Sequence, residues 1–226
     1  MKRQFDEELK TLQEKLLQMA SLAQDSIATA IKSLEERNEE YANKVLEQEK
    51  EINLLDIKID ELCMKLFALR QPMAVDLRLI TASLRISSDL ERIGDQSVNI
   101  IDRTLELLKV PVLKPLIDIP RMASLAENMV KDSITAFVNR DDVLARNVCE
   151  RDDEVDKLND QIFRELLTYM MDDHTSIKRA VDLILIGRHL ERIADHATNI
   201  SENVIYFVLG KTIKHHCEKF NYEHED

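Results

Sequence analysis

Tryptophan is absent from this chain of 226 residues, and glycine and proline are nearly so, at 3 and 4. So few breakers leave long stretches free to form regular structure. They also exclude sites built on glycine loops, such as a phosphate-cradling loop or a nucleophile elbow, and no catalytic triad is recognisable. Cys63, Cys149 and Cys217 are an odd set with no paired spacing, which excludes a disulfide framework and a zinc knuckle. No apolar run approaches the roughly 18 residues of a membrane span, so direct membrane insertion is not expected. Positive charge is short: 31 Lys and Arg against 43 Asp and Glu leave a formal net charge of −12. That balance argues against nucleic acid as a partner, because phosphate-backbone binding needs clustered cations. The first residues, Met1-Lys2-Arg3-Gln4-Phe5-Asp6-Glu7, turn acidic at once and carry no signal-peptide core. A cytoplasmic protein is expected.

What is present is helix-forming: Leu, Ile, Ala, Met, Glu and Lys dominate. Phe5, Leu9, Leu12, Leu16, Met19, Ala23, Ile27, Ala30 and Leu34 step by three or four, the signature of one long amphipathic helix. After the polar break Arg37-Asn38-Glu39-Glu40, a heptad-like seam runs through Val45, Ile52, Leu55, Ile59, Leu62, Leu66 and Leu69. Gln71-Pro72 stops it, since the residue before proline disfavours helix. A third helix carries Ile86, Leu90, Ile93, Ser97 and Ile100 and fades near Val110. The segment Val110 to Pro120, with three of the four prolines, reads as a stiff, extended linker.

The pattern then begins again. Met19-Ala20-Ser21-Leu22-Ala23 returns as Met122-Ala123-Ser124-Leu125-Ala126, and Leu90-Glu91-Arg92-Ile93-Gly94-Asp95 returns as Leu190-Glu191-Arg192-Ile193-Ala194-Asp195. The second copy is three residues shorter around its second turn, where Asp172-Asp173-His174-Thr175 replaces the Pro72 turn. Gly210 ends the last helix as a C-terminal glycine should. The expected fold is all-α: two tandem, similar three-helix bundles, six long helices in all, lying side by side through internal duplication. The expected organisation is a first repeat over residues 1–110, a proline-rich linker over 111–120, a second repeat over 121–210 and a polar tail over 211–226.

Each copy serves as a control for the other. Beside the apolar seam of each third helix runs a polar line, Glu91, Asp95, Asn99, Asp102, repeated as Glu191, Asp195, Asn199, Glu202. Three of the first line's acids fall within about 40° of one another and repel unless something positive lies over them. The second helices supply matching groups: Glu49 aligns with Asp152, Asn53 with Asp156 and Asp56 with Asn159. Across a shared groove these would make oxygen-rich sites suited to Mg²⁺, Mn²⁺ or iron. A solvated, salt-bridged face neutralised by Arg92 and Arg192 would look the same in sequence. Histidine narrows the chemistry. None of the six has Glu three residues before it, so a ferritin-like di-iron oxidase is not indicated. His196 has Gln96 as its counterpart, and His215-His216-Cys217 sits in the polar tail without repeat support.

At these residues the chain resembles the PhoU family of regulators associated with phosphate transport. The resemblance rests on Glu-Arg-x-x-Asp-x-x-x-Asn-Ile in both third helices and on Leu69-Arg70-Gln71-Pro72-Met73-Ala74-Val75-Asp76-Leu77-Arg78 at the first turn. It covers the chain from the first helix to Gly210. It implies two three-helix bundles that bind metal clusters, and it carries the metal sites onto Glu91 and Asp95 with Glu191 and Asp195, supported by Glu49, Asn53, Asp152 and Asp156. The ions would be divalent or iron-type (Mg, Mn, Fe or Zn). Asn53 departs from a strict carboxylate pattern, which leaves the first site one charge weaker. The resemblance further implies a non-enzymatic, cytoplasmic adaptor between the ATPase component of a phosphate ABC transporter and a sensor histidine kinase. Such an adaptor damps uptake and signalling when phosphate is plentiful. A homodimer is compatible with the exposed positions flanking the heptads. Two other classes compete: a purely structural helical scaffold, and a metal-dependent enzyme acting on phosphate esters.

Overall fold

A computed structural model describes residues 2–211; the His215-His216-Cys217 cluster and the rest of the tail from residue 212 lie outside the described residues. Six long helices follow in order: α1 (Lys2–Glu36), α2 (Glu40–Arg70), α3 (Ala74–Leu108), α4 (Asp118–Asn139), α5 (Asp142–Asp172) and α6 (Ile177–Leu209), the last preceded by a 3₁₀ turn at His174–Ser176. No strand occurs among the described residues. None of their helices is long and apolar enough to cross a membrane.

The breaks follow from local chemistry. Arg37 and Arg140, at corresponding places in the two copies, both adopt left-handed backbone, with φ of 52° and 53°. Arg37 then reaches the far end of α3, where its Nη2 donates to the carbonyls of Leu107, Leu108 and Val110 at 3.2, 3.0 and 2.7 Å. A cation there satisfies orphan acceptors and complements the negative end of the helix dipole. Asp141 caps α5 by accepting from the Leu144 N–H at 2.9 Å. At the shortened turn, Asp173 accepts from both the N–H and the hydroxyl of Thr175.

The linker is shorter and less spacer-like than its prolines predict. It spans residues 109–117, because α4 starts at Asp118. Pro120 lies in the first helical turn, where backbone N–H groups have no intrahelical acceptor and proline forfeits nothing. Lys114 is buried and pairs with Glu165 of α5, which pins the linker to the second repeat. The α2 seam also differs near its end. Cys63 is fully buried while Leu69 is 64% exposed, since a strict heptad drifts away from the core on a straight helix.

The helices α1, α2 and α3 pack on one another, as do α4, α5 and α6. The halves join through α3 against α6 and α1 against α4, while α2 and α5 flank the assembly. The α3–α6 pair is antiparallel. Contacts run from Arg78 to the Phe207 carbonyl (3.2 Å), through Asp89–His196 (3.0 Å) and Gln96–His189 (2.9 Å), to Glu106–Lys178 (3.0 Å). One hydrophobic core runs through both repeats, from Leu12 to Phe207.

Within that core the two copies solve one packing problem in two ways. A Cβ added at Gly94 would lie 3.1 Å from the Ile52 δ-methyl. The duplicated positions hold Ala194 and Val155, both fully buried, so one methyl has moved from the second helix to the third. Gly94→Ala introduces overpacking of about 1–3 kcal/mol against about 1 kcal/mol of gained helix propensity. Ile52→Val alone costs about 0.5–1.5 kcal/mol. The double variant is expected to be more stable than the sum of the two single changes by about 1 kcal/mol or more, measured by urea unfolding. Strict additivity would mean that the two groups do not share space.

Candidate metal centre

Two grooves, α2 against α3 and α5 against α6, gather the duplicated acids. In the first, Glu49, Asn53, Asp56 and Glu91 are half-buried and Asp95 is exposed. The Glu91 carboxyl is pushed above its ordinary value by burial and then by the charges of Asp95 and Asp56, with Glu49 adding and Arg92 opposing. In the second, Asp152, Asn159 and Glu191 are half-buried, and Asp156 and Asp195 are exposed. Asp152 is raised to about 7 by burial, reinforced by Asp195, Asp156, Asp153 and Glu191. Burial and neighbouring acids also raise Asp156, Glu191 and Asp195. These charge effects act across each pair of helices, and in the second groove the Asn159 amide of α5 meets Glu191 of α6 at 2.9 Å.

None of these carboxylates pairs with a cation. Glu49, Asp56, Glu91, Asp95, Asp152, Asp156, Glu191 and Asp195 appear in no ion pair among the described residues, although acids elsewhere do, Glu8 with Arg70 for example. Arg92 and Arg192 are exposed and form no ion pair there either; they act on Glu91 and Asp195 only at longer range. The hydrogen bonds the acids do accept come from neutral groups. Asn53 donates to Glu49, Ser87 donates to Asp56 at 2.6 Å, and Asn159 donates to Glu191 at 2.9 Å.

The amide has changed places within the row rather than removed a charge. Asn53 and Asp56 on α2 correspond to Asp156 and Asn159 on α5, and the charge of Asp56 bears directly on Glu91. The first groove is therefore not short of a carboxylate on account of Asn53. A different neighbour sets the two apart: Asp153 adds its charge to Asp152 and Asp156 where the first copy has Lys50. The wall behind the row differs as well. Ser87 satisfies Asp56, whereas its counterpart Gly187 leaves room for Asn159, whose Oδ1 would lie 2.9 Å from a Cβ built there. That clearance lets Asn159 reach Glu191.

The donor set is all oxygen, which suits hard or borderline cations such as Mg²⁺, Mn²⁺ or iron. The Oδ1 of Asn53 is buried without a hydrogen-bond partner, an orphan acceptor on the groove wall. Against this stands one observation: among the described residues, no three His, Cys, Asp or Glu side chains are arranged to hold a single ion as they stand. Histidine lies elsewhere. His196 meets Asp89 and His189 meets Gln96 on the seam between repeats, and burial with nearby Arg192 lowers His189 to about 4. Asn199 also faces that seam, donating to Asp89 at 3.4 Å, so it stands apart from the groove line that sequence spacing suggests. Sequence reasoning passed over Asp89 and Asp153; the duplication could not flag them, because Arg188's neighbour His189 and Lys50 replace them in the other copy.

Comparison with known proteins gives one consistent picture. The family model described as PhoU domain matches residues 16–104 and again residues 119–204. The phosphate-specific transport system accessory protein PhoU homolog of Aquifex aeolicus is 43% identical over 92% of this chain and 94% of its own length. Its namesake from Xylella fastidiosa is 37% identical over 92% of this chain and 86% of its own. Among solved structures, PhoU from Pseudomonas aeruginosa superposes with a TM-score of 0.88 at 36% identity, covering 92% of this chain and all (100%) of that one. The phosphate transport system regulatory protein PhoU from Streptococcus pneumoniae gives 0.85 at 27% identity, with 93% and 99% covered.

The raised Asp152 has a definite effect on stability. Its folded form keeps the proton up to about pH 7, whereas an ordinary aspartate releases it near 3.8. Between those values the metal-free fold binds more protons than the unfolded chain, so its stability falls as pH rises through that window. Asp152→Asn removes this term. In EDTA, the melting temperature of the variant relative to the parent is expected to climb between about pH 4 and pH 7 and to level off above. A difference independent of pH would contradict the burial and crowding of Asp152.

Proposed function

The chain belongs to the PhoU domain family, and from that membership we propose that it is a cytoplasmic regulator of phosphate uptake and phosphate-starvation signalling. Its relatives carry the name of accessory proteins of the phosphate-specific transport system, which supports a role beside that transporter rather than as an enzyme. In this reading it acts as an adaptor between the ATPase component of the transporter and a sensor histidine kinase. It restrains uptake and the starvation response when phosphate is plentiful.

The observation that carries the metal-dependent part of the proposal is the pair of carboxylate rows with no cation of their own. Glu91, Asp95, Glu49 and Asn53, with Asp56, would hold ions in the first groove; Glu191, Asp195, Asp152 and Asp156 would hold them in the second. A bound Mg, Mn, Fe or Zn ion would supply the positive charge that these acids lack. The acids of α2 and α3 then draw together instead of apart, as do those of α5 and α6. The residues exposed along the groove edges are thereby fixed in the positions that a partner reads. The competing scaffold reading draws on the open arrangement of the acids; it makes association indifferent to metal.

The two readings separate in a binding experiment with the purified transporter ATPase subunit, in Mn²⁺ and in EDTA. The proposal expects affinity to fall roughly tenfold or more, about 1.4 kcal/mol, when metal is removed. The combined Glu91→Gln, Asp95→Asn, Glu191→Gln, Asp195→Asn variant is expected to bind weakly in both. Equal affinity of the parent in Mn²⁺ and EDTA would leave the adaptor role resting on protein contacts alone.

A further inference from the structure

In each repeat the end of the first helix packs beside the end of the third, and the two copies fill that place differently. In the second repeat it holds Phe137 and Phe207, both buried, with ring centroids 5.8 Å apart. The Arg140 guanidinium lies over the Phe207 ring, 5.3 Å from its centroid. The corresponding residues of the first repeat are Leu34, Leu107 and Arg37. There a cavity of about 280 Å³ remains, lined by both leucines, by Arg37 and by Pro111, Val112 and Pro115 of the linker. Leu183 of α6, which stands where the other half has Ser83, also lines it and returns only part of the missing volume.

We propose that this cavity binds a planar aromatic small molecule carrying an acidic group. Its size is sufficient, since apolar cavities of about 150 Å³ take up benzene. Its lining is of the ligand-binding kind, apolar walls with a few polar groups among them. Leu34, Leu107 and Leu183 are at most 6% exposed, and two prolines stiffen the wall that the linker supplies. The second repeat argues for a ring, because it shows what this architecture accommodates at that place: phenyl groups beneath a guanidinium. A ring in the first repeat lies under Arg37 as Phe207 lies under Arg140, with the same cation–π attraction. Arg37 also argues for the acid. Its three hydrogen bonds, to carbonyls at the end of α3, all leave from Nη2, and it forms no ion pair among the described residues. Its Nε and Nη1 remain to meet a carboxylate, sulfonate or phosphate oxygen. Lys114 is buried and already paired with Glu165, so it fixes the linker wall. Glu35, also on the lining, is exposed, and water screens its charge. The cavity shares no residue with either carboxylate groove, so the proposal stands apart from metal binding.

Titration calorimetry of the full chain with naphthalene-2-sulfonate tests this. The parent is expected to bind one probe per chain. Cyclohexanesulfonate has the charge without the ring, and naphthalene-2-sulfonamide has the ring without the charge. Each should bind roughly tenfold or more weakly than the probe. Leu34→Phe with Leu107→Phe gives the first repeat the rings of the second. That variant should lose the probe while keeping its helicity and a melting temperature at or above the parent's. If the two rings together overfill the site and unfold the chain, Leu34→Phe alone carries the same expectation. A parent that does not bind the probe would overturn the proposal. So would unchanged binding by the folded, ring-filled variant, which would put the probe elsewhere. Equal affinity for cyclohexanesulfonate would overturn the aromatic assignment, and equal affinity for the sulfonamide the acidic one.

Discussion

Packing a row of carboxylates into a groove between two helices, with no cation paired to it among the described residues, is the constraint on which the rest of this molecule turns. Helices α2 and α3 are held together on their inner sides by Ile52, Leu55, Ile59, Ile86, Leu90 and Ile93, all buried. On the rim of the same interface, burial and then the charges of Asp95, Asp56 and Glu49 raise the Glu91 carboxyl above its ordinary value. The second repeat repeats the conflict more strongly, since Asp153 joins Asp152, Asp156, Glu191 and Asp195. A fold that cared only for stability would place lysine or arginine over such a row. Here the candidate cations, Arg92 and Arg192, are exposed and ease Glu91 and Asp195 only through their charge, without an ion pair among the described residues. Local conflicts of this kind, present twice in one chain, are what the proposed metal sites would explain.

The duplication separates what packing needs from what the site needs. Methyl groups move freely between partner helices, as Gly94 with Ile52 and Ala194 with Val155 illustrate. The amide moves one turn along the row between Asn53 and Asn159, and the wall behind it changes from Ser87 to Gly187 to suit. Through all this each groove remains a set of oxygen donors facing one another. The two grooves are alike in donor chemistry and unlike in detail, so the proposed metal sites would not have equal affinity.

Much of the fold was legible because its signals are periodic and doubled. Six helices, the breaks at Arg37 and Pro72 and the C-terminal glycine all follow from spacing and breakers. The failures have local causes. Pro120 reads as linker in sequence, yet a first helical turn tolerates proline. Leu69 continues a heptad on paper, but a straight helix rotates it to the surface and brings in Cys63. The acids of both grooves were found by alignment of the two copies, which also suggested that Asn53 weakens the first. Only the placement of Asp56 beside Glu91 reveals that a carboxylate one turn away makes up for it. The seam formed by Asp89, His196, Gln96 and His189 was invisible, since it depends on how the repeats pack on each other.

If the groove acids are uncompensated until a cation arrives, as proposed, thermal unfolding near neutral pH shows it most directly. The parent would be compared in EDTA and in Mn²⁺ with the variant carrying Glu91→Gln, Asp95→Asn, Glu191→Gln and Asp195→Asn. Repulsion between unpaired acids requires the variant to melt above the parent in EDTA. A cation held by those acids requires Mn²⁺ to raise the parent and leave the variant unmoved, reversing their order. A variant that melts below the parent in EDTA, with Mn²⁺ indifferent to both, would show that these carboxylates stabilise the metal-free fold, and the account of them as metal centres would be wrong.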